Sequence, residues 1–189
     1  MFSGGPLKII SVTGAHSGVG KTSLCAILLH HFKGLGAVKY TKTALYVSVI
    51  DDPDILSHKN KDTAVLSESG AERVVWIKSP ADELEHALDI ALGKMTGLRG
   101  VIIEGNSPSG YLDPDVIIFV IGSDGEIKPS ARNISEKADM IVVNTGDSSS
   151  CPPSALNLLH DNVILFRMNV KEKTGEIDKF ITHIKKYID

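Results

Sequence analysis

The residues best suited to chemistry lie near the start of the chain, where positions 14–23 read Gly-Ala-His-Ser-Gly-Val-Gly-Lys-Thr-Ser. An apolar, strand-like run at 8–13 precedes them, and a helix-like pattern at 21–32 follows. Glycines allow the backbone to turn successive N–H groups inward, and the start of a helix adds the positive end of its dipole. The segment therefore predicts a phosphate-binding loop between a strand and a helix.

Each position of this loop has an expected role. We expect Lys21 to contact the β- and γ-phosphates of a nucleotide and the hydroxyl of Thr22 to ligate Mg²⁺. The usual pattern GxxxxGK[ST] has its first glycine where this chain carries Ala15, directly after Gly14, and alanine is a mild change. The predicted nucleotide-binding residues of the segment are His16, Ser17, Gly18, Val19, Gly20, Lys21, Thr22 and Ser23.

A Mg²⁺ ion bound to phosphates needs an acidic partner, commonly at the carboxyl end of a neighbouring strand. Glu104 ends the apolar run at 101–104 and is the first candidate, as metal ligand and as the group that positions the attacking water. Lys21 and Glu104 are therefore the predicted catalytic residues. Asp51 and Asp52 compete for the metal, because they too follow an apolar run, although their Asp-Asp-Pro-Asp segment is also typical of a turn.

A second short motif follows the apolar run at 140–144. Asn144-Thr145-Gly146-Asp147 is similar to the Asn-Lys-x-Asp of GTP-binding proteins, in which the aspartate accepts two hydrogen bonds that guanine offers and adenine does not. Asn144 and Asp147 are therefore predicted to bind guanine, which favours GTP over ATP, although Thr145 replaces the lysine of that pattern. The alternative is a strand followed by an ordinary Asn/Gly/Asp turn.

Length and composition restrict the class of protein. A chain of 189 residues suits one domain, so we expect residues 1–189 to form a single nucleotide-binding domain. The net charge of −3 argues against a nucleic-acid partner bound by general electrostatics. Cys25 and Cys151 have no metal-ligand spacing and predict neither a disulfide scaffold nor a zinc site. With no run of about 18 apolar residues, we expect no membrane partner and a cytoplasmic location.

Strand-like and helix-like patterns alternate along the chain. The predicted strands cover 8–13, 37–43, 73–78, 101–104, 115–121, 140–144 and 162–168, and the predicted helices cover 21–32, 81–95, 130–137 and 176–188. This alternation predicts an α/β fold, a mostly parallel sheet with helices on both faces, as in P-loop NTPases. The polar stretches 46–70 and 107–114 match neither pattern and are interpreted as long loops at the ligand-binding end of the sheet.

Together these features resemble the molybdopterin-guanine dinucleotide biosynthesis protein B (MobB) family of P-loop NTPases. The matching segments lie within 8–106: Ala-His-Ser-Gly-Val-Gly-Lys-Thr at 15–22, Gly-Ala-Val-Lys-Tyr at 36–40, Lys-Asp-Thr at 61–63, Ser-Gly-Ala at 69–71 and Ile-Glu-Gly at 103–105. The resemblance implies a GTP-binding homodimer that uses Mg²⁺, works with a protein partner in cofactor maturation, and assists attachment of GMP to molybdopterin with slow hydrolysis of its own.

Three other classes stay open, and one of them is a binding module that senses nucleotide and hydrolyses almost none of it. Segment 115–147 looks like the metallochaperone GTPases similar to UreG and HypB, on its run Ala-Asp-Met-Ile-Val-Val-Asn, although the seven histidines of the chain are scattered. An ATP-dependent small-molecule phosphotransferase would use the same phosphate loop, but the four arginines of the chain do not cluster as a kinase lid would need. In the molybdenum-cofactor class, the polar segment 61–70 is expected to face a partner or a second ligand.

Overall fold

The computed structural model describes residues 6–58, 61–146 and 150–188. Asp147 of the predicted guanine motif lies outside the described residues. Within them, nine strands form one sheet: β1 (Lys8–Gly14), β2 (Leu35–Lys42), β3 (Ser48–Ile50), β4 (Val74–Ser79), β5 (Gly100–Glu104), β6 (Val116–Gly122), β7 (Met140–Asn144), β8 (Ile164–Asn169) and β9 (Thr174–Gly175). Their order is β3-β4-β2-β5-β1-β6-β7-β8-β9. The pairs β3–β4 and β8–β9 are antiparallel, and the other pairs are parallel.

Helices cover both faces of this sheet, which confirms the predicted α/β class. The described helices are α1 (Lys21–His31), α2 (Pro53–Leu56), α3 (Asp62–Glu68), α4 (Leu84–Gly93), α5 (Arg132–Ser135), α6 (Pro153–Leu156) and α7 (Ile177–Ile188). Helices α1, α2, α3 and α7 contribute to one apolar cluster, whereas α4 packs on the opposite face and α5 and α6 lie over a third cluster. Among the described residues, no helix is long and apolar enough to cross a membrane.

Strand β5, in the interior of the sheet, shows why the apolar runs predicted a buried parallel sheet. Val101 and Ile103 pack in the cluster under α4, and Ile102 packs in the cluster under α1. All three are at most 1% exposed. A strand covered on both faces needs apolar side chains at successive positions, and a continuous run rather than an alternating one results.

The spacing of apolar residues explains why helix α7 forms at the end of the described chain. Ile177, Phe180, Ile184 and Ile188 recur every three or four positions, and all four are buried against the sheet. Phe180 meets Phe166 of β8 edge to face, with ring centroids 5.4 Å apart. The helix predicted at 176–188 is confirmed.

The interpretation of 46–70 as one long loop is wrong, because β3, α2 and α3 lie within it. These elements are short, and contacts with the rest of the chain hold them in place. The hydroxyl of Thr63 donates to the carbonyl of Leu56 over 2.8 Å, which joins α3 to α2, and Leu66 is fully buried. Tertiary packing of this kind stabilises helices that are too short to form alone.

Because of the direction of β3, Asp51 and Asp52 lie far from the predicted metal site. Since β3 runs antiparallel to β4, the residues after Ile50 reach the amino end of the parallel strands, opposite the phosphate loop. There Asp51 pairs with Lys94 over 2.6 Å, and a carboxylate oxygen of Asp52 accepts from the backbone N–H of Asp54 at the start of α2. The interpretation of these two aspartates as metal ligands is therefore wrong.

Candidate functional site

The loop between β1 and α1 turns on two glycines with left-handed backbone angles, Gly18 with φ +80° and Gly20 with φ +105°. A Cβ at position 20 would lie 2.7 Å from Cγ2 of Val170 and 2.8 Å from Nδ2 of Asn144. Only glycine therefore fits there, both for its backbone conformation and for the close approach of these two neighbours. The sequence pattern identified this loop correctly.

Ala15 occupies the place of the first glycine in the usual pattern, and the structure shows why alanine is accepted. The described non-glycine residues with positive φ are Asn162 and Lys173, so the φ of Ala15 is negative. Its N–H donates to the carbonyl of Val120 over 2.8 Å, and its side chain is fully buried. Ala15 thus continues the pairing of β1 with β6 instead of forming part of the turn.

The positive groups of the loop converge on one cavity. Because Gly20 caps α1 without a side-chain acceptor, the amides of the first helical turn stay available to an anion. Nζ of Lys21 donates to the carbonyl oxygen of His16 over 3.0 Å and so spans the loop. Burial lowers the pKa of Lys21, and the nearby Glu104 carboxylate opposes that shift.

The cavity has a volume of about 350 Å³ and contains most of the predicted binding residues. It is lined by Ser17, Gly18, Gly20, Lys21, Thr22, Ser23, Lys39, Asp62 and Glu104. Two predicted residues of the loop are not in this lining. Val19 points into the apolar core and is 3% exposed, and the ring of His16 has its Nε2 3.4 Å from a carboxylate oxygen of Asp124. His16 and Val19 serve the loop through their backbone carbonyls.

Glu104 lies at the carboxyl end of β5 and is 2% exposed. The hydroxyl of Thr22 lies 3.0 Å from each of its two carboxylate oxygens. A hydroxyl and a carboxylate are oxygen ligands of the kind that Mg²⁺ prefers, so this pair fits the predicted metal. Among the residues that the structure describes, no three His, Cys, Asp or Glu side chains are grouped as a metal site.

Lys39 of β2 is a residue of this site that the sequence analysis assigned no role. Its ammonium group forms ion pairs with Glu104 and, over 2.7 Å, with Asp62. Burial alone would lower the pKa of Lys39, but the two carboxylates outweigh it and raise the pKa. A lysine on a strand between apolar neighbours, in Gly-Ala-Val-Lys-Tyr, was the signal that could have found it, because a buried lysine needs an acidic partner.

Asn144 lies at the carboxyl end of β7 and braces the loop. Its Nδ2 donates to the carbonyl of Val19 over 3.0 Å, and its Oδ1 accepts from the backbone N–H of Val170 over 3.2 Å. The side-chain amide is therefore engaged with backbone groups. Its predicted contact with guanine stays a prediction, as does that of Asp147.

Asn106 also holds the loop by side-chain hydrogen bonds, at the end where β1 leads into it. This residue was not predicted from the sequence. Its Nδ2 donates to the carbonyl of Gly14 over 2.8 Å, and its Oδ1 accepts from the N–H of Gly14 over 2.9 Å. An amide residue directly after Glu-Gly at the end of a strand was the available signal. Asn106 and Asn144 together hold the start and the middle of the phosphate loop.

Comparisons with known proteins give the fold but no family. No family model matches the chain, and no curated protein matches it. Among solved structures, HypB from Helicobacter pylori in complex with nickel aligns with a TM-score of 0.61 at 18% identity, over 97% of this chain and 90% of that chain.

Two further structures are longer than this chain, which spans little more than half of each. LpxK from Aquifex aeolicus in complex with ATP aligns with a TM-score of 0.54 at 15% identity, over 86% of this chain and 54% of that chain. The signal recognition particle receptor FtsY from Elizabethkingia anophelis in complex with GDP aligns with a TM-score of 0.51 at 16% identity, over 90% of this chain and 60% of that chain. These proteins are P-loop NTPases, and this chain has their fold, as the loop pattern predicted.

The ion pair of Lys39 with Glu104 gives a first prediction. Lys39→Met leaves a buried carboxylate without its charge partner, so we expect the free energy of unfolding to fall by about 3–5 kcal/mol near neutral pH. Urea denaturation near neutral pH measures the loss.

The matched control is Lys94→Met, which removes an ion pair with Asp51 whose two side chains are 37% and 53% exposed. Such an exposed pair should contribute less than about 1 kcal/mol. Equal losses in the two variants would show that Lys39 does not neutralise a buried charge.

The brace formed by Asn144 gives a second prediction. Asn144→Ala leaves the carbonyl of Val19 and the N–H of Val170 without this partner, so we expect a loss of about 1–3 kcal/mol in unfolding free energy. Asn157→Ala, at an exposed position, should stay within about 0.5 kcal/mol of the wild type. Thermal and urea denaturation measure the difference, and an unchanged Asn144→Ala protein would contradict the brace.

Proposed function

We propose that this chain is a Mg²⁺-dependent, GTP-preferring P-loop NTPase that acts as an accessory protein in molybdenum-cofactor maturation. One observation carries the nucleotide part of the proposal. Lys21, the open amides of α1 and the Thr22–Glu104 pair line the same cavity of about 350 Å³. This combination offers positive groups to phosphates and oxygen ligands to a metal within a single site.

The proposed roles follow from position. Backbone N–H groups of residues 16–22 bind the phosphates, and Lys21 offsets charge on the β- and γ-phosphates. Thr22 and Glu104 would hold Mg²⁺, which when bound neutralises charge on the phosphate oxygens. Glu104 also orients water at the terminal phosphate. The slow turnover expected here comes from the resemblance to MobB proteins.

The proposed preference for GTP is based on the residues that follow β7. The N–H of Thr145 donates to the carbonyl of Met168, and Nδ2 of Asn169 donates to the carbonyl of Gly146 over 2.8 Å. Thr145 and Gly146, which lead to Asp147, are thus held against β8 at the carboxyl ends of the parallel strands. Ligands of α/β proteins bind at these ends, so a base is expected there.

The role in molybdenum-cofactor maturation rests on the segments at 15–22, 36–40, 61–63, 69–71 and 103–105 that resemble MobB proteins. The same resemblance supports a homodimer and a protein partner. A metallochaperone-type maturation GTPase is the second candidate, favoured by the alignment of 97% of this chain with nickel-bound HypB. An ATP-dependent phosphotransferase is a third, favoured by the alignment with ATP-bound LpxK.

Calorimetric titration with GTP, GDP and ATP in the presence of Mg²⁺ tests the nucleotide proposal. We expect GTP to bind at least about tenfold more tightly than ATP, because a charged hydrogen-bond partner for guanine contributes about 1.5–3 kcal/mol. Asp147→Ala should remove this preference by weakening GTP alone. Lys21→Ala should weaken both triphosphates, because the phosphates are common to them.

Asn144→Ala serves as the comparison for Asp147→Ala. If Asn144 only braces the loop, this variant weakens GTP and ATP equally and keeps their ratio. A wild-type protein that binds ATP as tightly as GTP would refute the base assignment, and unchanged affinity in Lys21→Ala would refute the phosphate loop.

A binding experiment with two parts tests which maturation pathway the protein serves. We expect the tagged protein to capture the purified guanylyltransferase that attaches GMP to molybdopterin, and capture should depend on bound GTP. A parallel titration with Ni²⁺ should show no stoichiometric binding. The reverse pair of results would support the metallochaperone alternative and exclude the molybdenum-cofactor role.

A further inference from the structure

A second cavity lies directly beside the phosphate cavity and has no role in the functions above. Its volume is about 230 Å³, and it is lined by Lys39, Thr41, Lys61, Asp62, Thr63 and Trp76. Lys39 and Asp62 also line the phosphate cavity. An occupant of this second cavity would therefore lie next to the terminal phosphates of a bound nucleotide.

The register of the sheet creates this cavity. Lys39 pairs with Trp76, and Thr41 pairs with Lys78, across the parallel strands β2 and β4. Residues two apart on a strand point to the same face, so these four side chains share one face at the carboxyl end of the sheet. The start of α3 closes the cavity with Asp62 and Thr63.

Trp76 forms an aromatic wall with two cations against it. Nζ of Lys78 lies 3.7 Å from the centroid of the indole ring, and Nζ of Lys61 lies 5.2 Å from it. Among the described residues, no carboxylate pairs with either ammonium group. The two positive charges are thus held beside a ring, without an anionic partner from the described part of the chain.

A hydroxyl group completes the polar side of the cavity. Nε1 of Trp76 donates to Oγ1 of Thr41 over 3.0 Å, so the hydroxyl proton of Thr41 remains available to an acceptor. The lining thus offers the ammonium group of Lys61, a hydroxyl donor and the indole ring of Trp76, while Lys78 lies on that ring outside the lining. The Asp62 carboxylate in the same lining is paired with Lys39 over 2.7 Å. These groups complement a small molecule that carries both a negative charge and a flat ring.

We propose that this second cavity, which we call the Trp76 subsite, binds a small anionic molecule with a flat ring, such as an aromatic phosphate. The anion pairs with Lys61, and the ring contacts Trp76. This inference rests on the proposed nucleotide function, because it places the second ligand beside the phosphates of a bound nucleotide. The nucleotide and the second ligand bind together and not in competition.

The protein contains its own reporter, since Trp76 is the only tryptophan in the sequence. The nucleotide site is first saturated with Mg²⁺ and a non-hydrolysable GTP analogue, and saturation is checked by calorimetry. Phenyl phosphate, inorganic phosphate and phenol are then titrated while the fluorescence of Trp76 is recorded. We expect phenyl phosphate to change the fluorescence with saturation, inorganic phosphate to bind at least about tenfold more weakly, and phenol to bind more weakly still.

A subsite variant and a matched control distinguish binding at the subsite from non-specific attraction of the anion to exposed lysines. Lys61→Met should weaken phenyl phosphate at least about tenfold while the affinity for the GTP analogue stays unchanged. Lys42→Met is the matched control, because Lys42 ends the same strand β2 on the opposite face and is exposed. This control should bind phenyl phosphate as the wild type does.

The outcomes distinguish the two proposals. If the GTP analogue binds but phenyl phosphate leaves the fluorescence of Trp76 unchanged, the Trp76 subsite is refuted and the lysines only cover the ring. If phenyl phosphate is displaced by the GTP analogue, it occupies the phosphate loop, and the subsite is again refuted. If the GTP analogue itself fails to bind, the proposed nucleotide function is refuted first.

Discussion

The buried carboxylate of Glu104 determines how the rest of the site is arranged. A carboxylate that is 2% exposed is tolerated only with a positive partner and with hydrogen bonds to its oxygens. Lys39 supplies the charge, and the hydroxyl of Thr22 supplies the hydrogen bonds. Lys39 is the direct register partner of Glu104 across β2 and β5. One side chain on β5 thus fixes the position of a strand and of the first turn of α1 relative to the phosphate loop.

This pairing also decides where the attraction for phosphate comes from. The charged side chains of the cavity are two lysines and two carboxylates, Lys21, Lys39, Glu104 and Asp62, whose formal charges cancel. The chain as a whole carries −3. A polyanion is therefore attracted by the inward-facing amides and the amino end of α1, which keep their partial charges whatever the side chains do.

The sequence was sufficient to predict an element wherever a strong local pattern agreed with the final packing. The spacing of Ile177, Phe180 and Ile184 defined α7, the apolar run at 101–104 defined a strand buried on both faces, and the glycines defined the phosphate loop. Segment 46–70 was not predicted, because β3, α2 and α3 are at most seven residues long and depend on distant contacts. The reversal of β3 relative to β4, which carries Asp51 away from the loop, is set by strand pairing and leaves no mark in the local sequence.

Two asparagines show why the site was harder to predict than the fold. The side-chain amide of Asn144 is bonded to backbone groups on both sides, and Asn106 closes a pair of hydrogen bonds with Gly14. An amide carries a donor and an acceptor, so the same residue type suits a base edge and a backbone peptide equally well. The backbone groups that engage these two amides belong to Val19, Val170 and Gly14, which lie far from Asn144 and Asn106 along the chain. A short motif at the end of a strand therefore indicates that an amide is needed there, and the fold determines its partner.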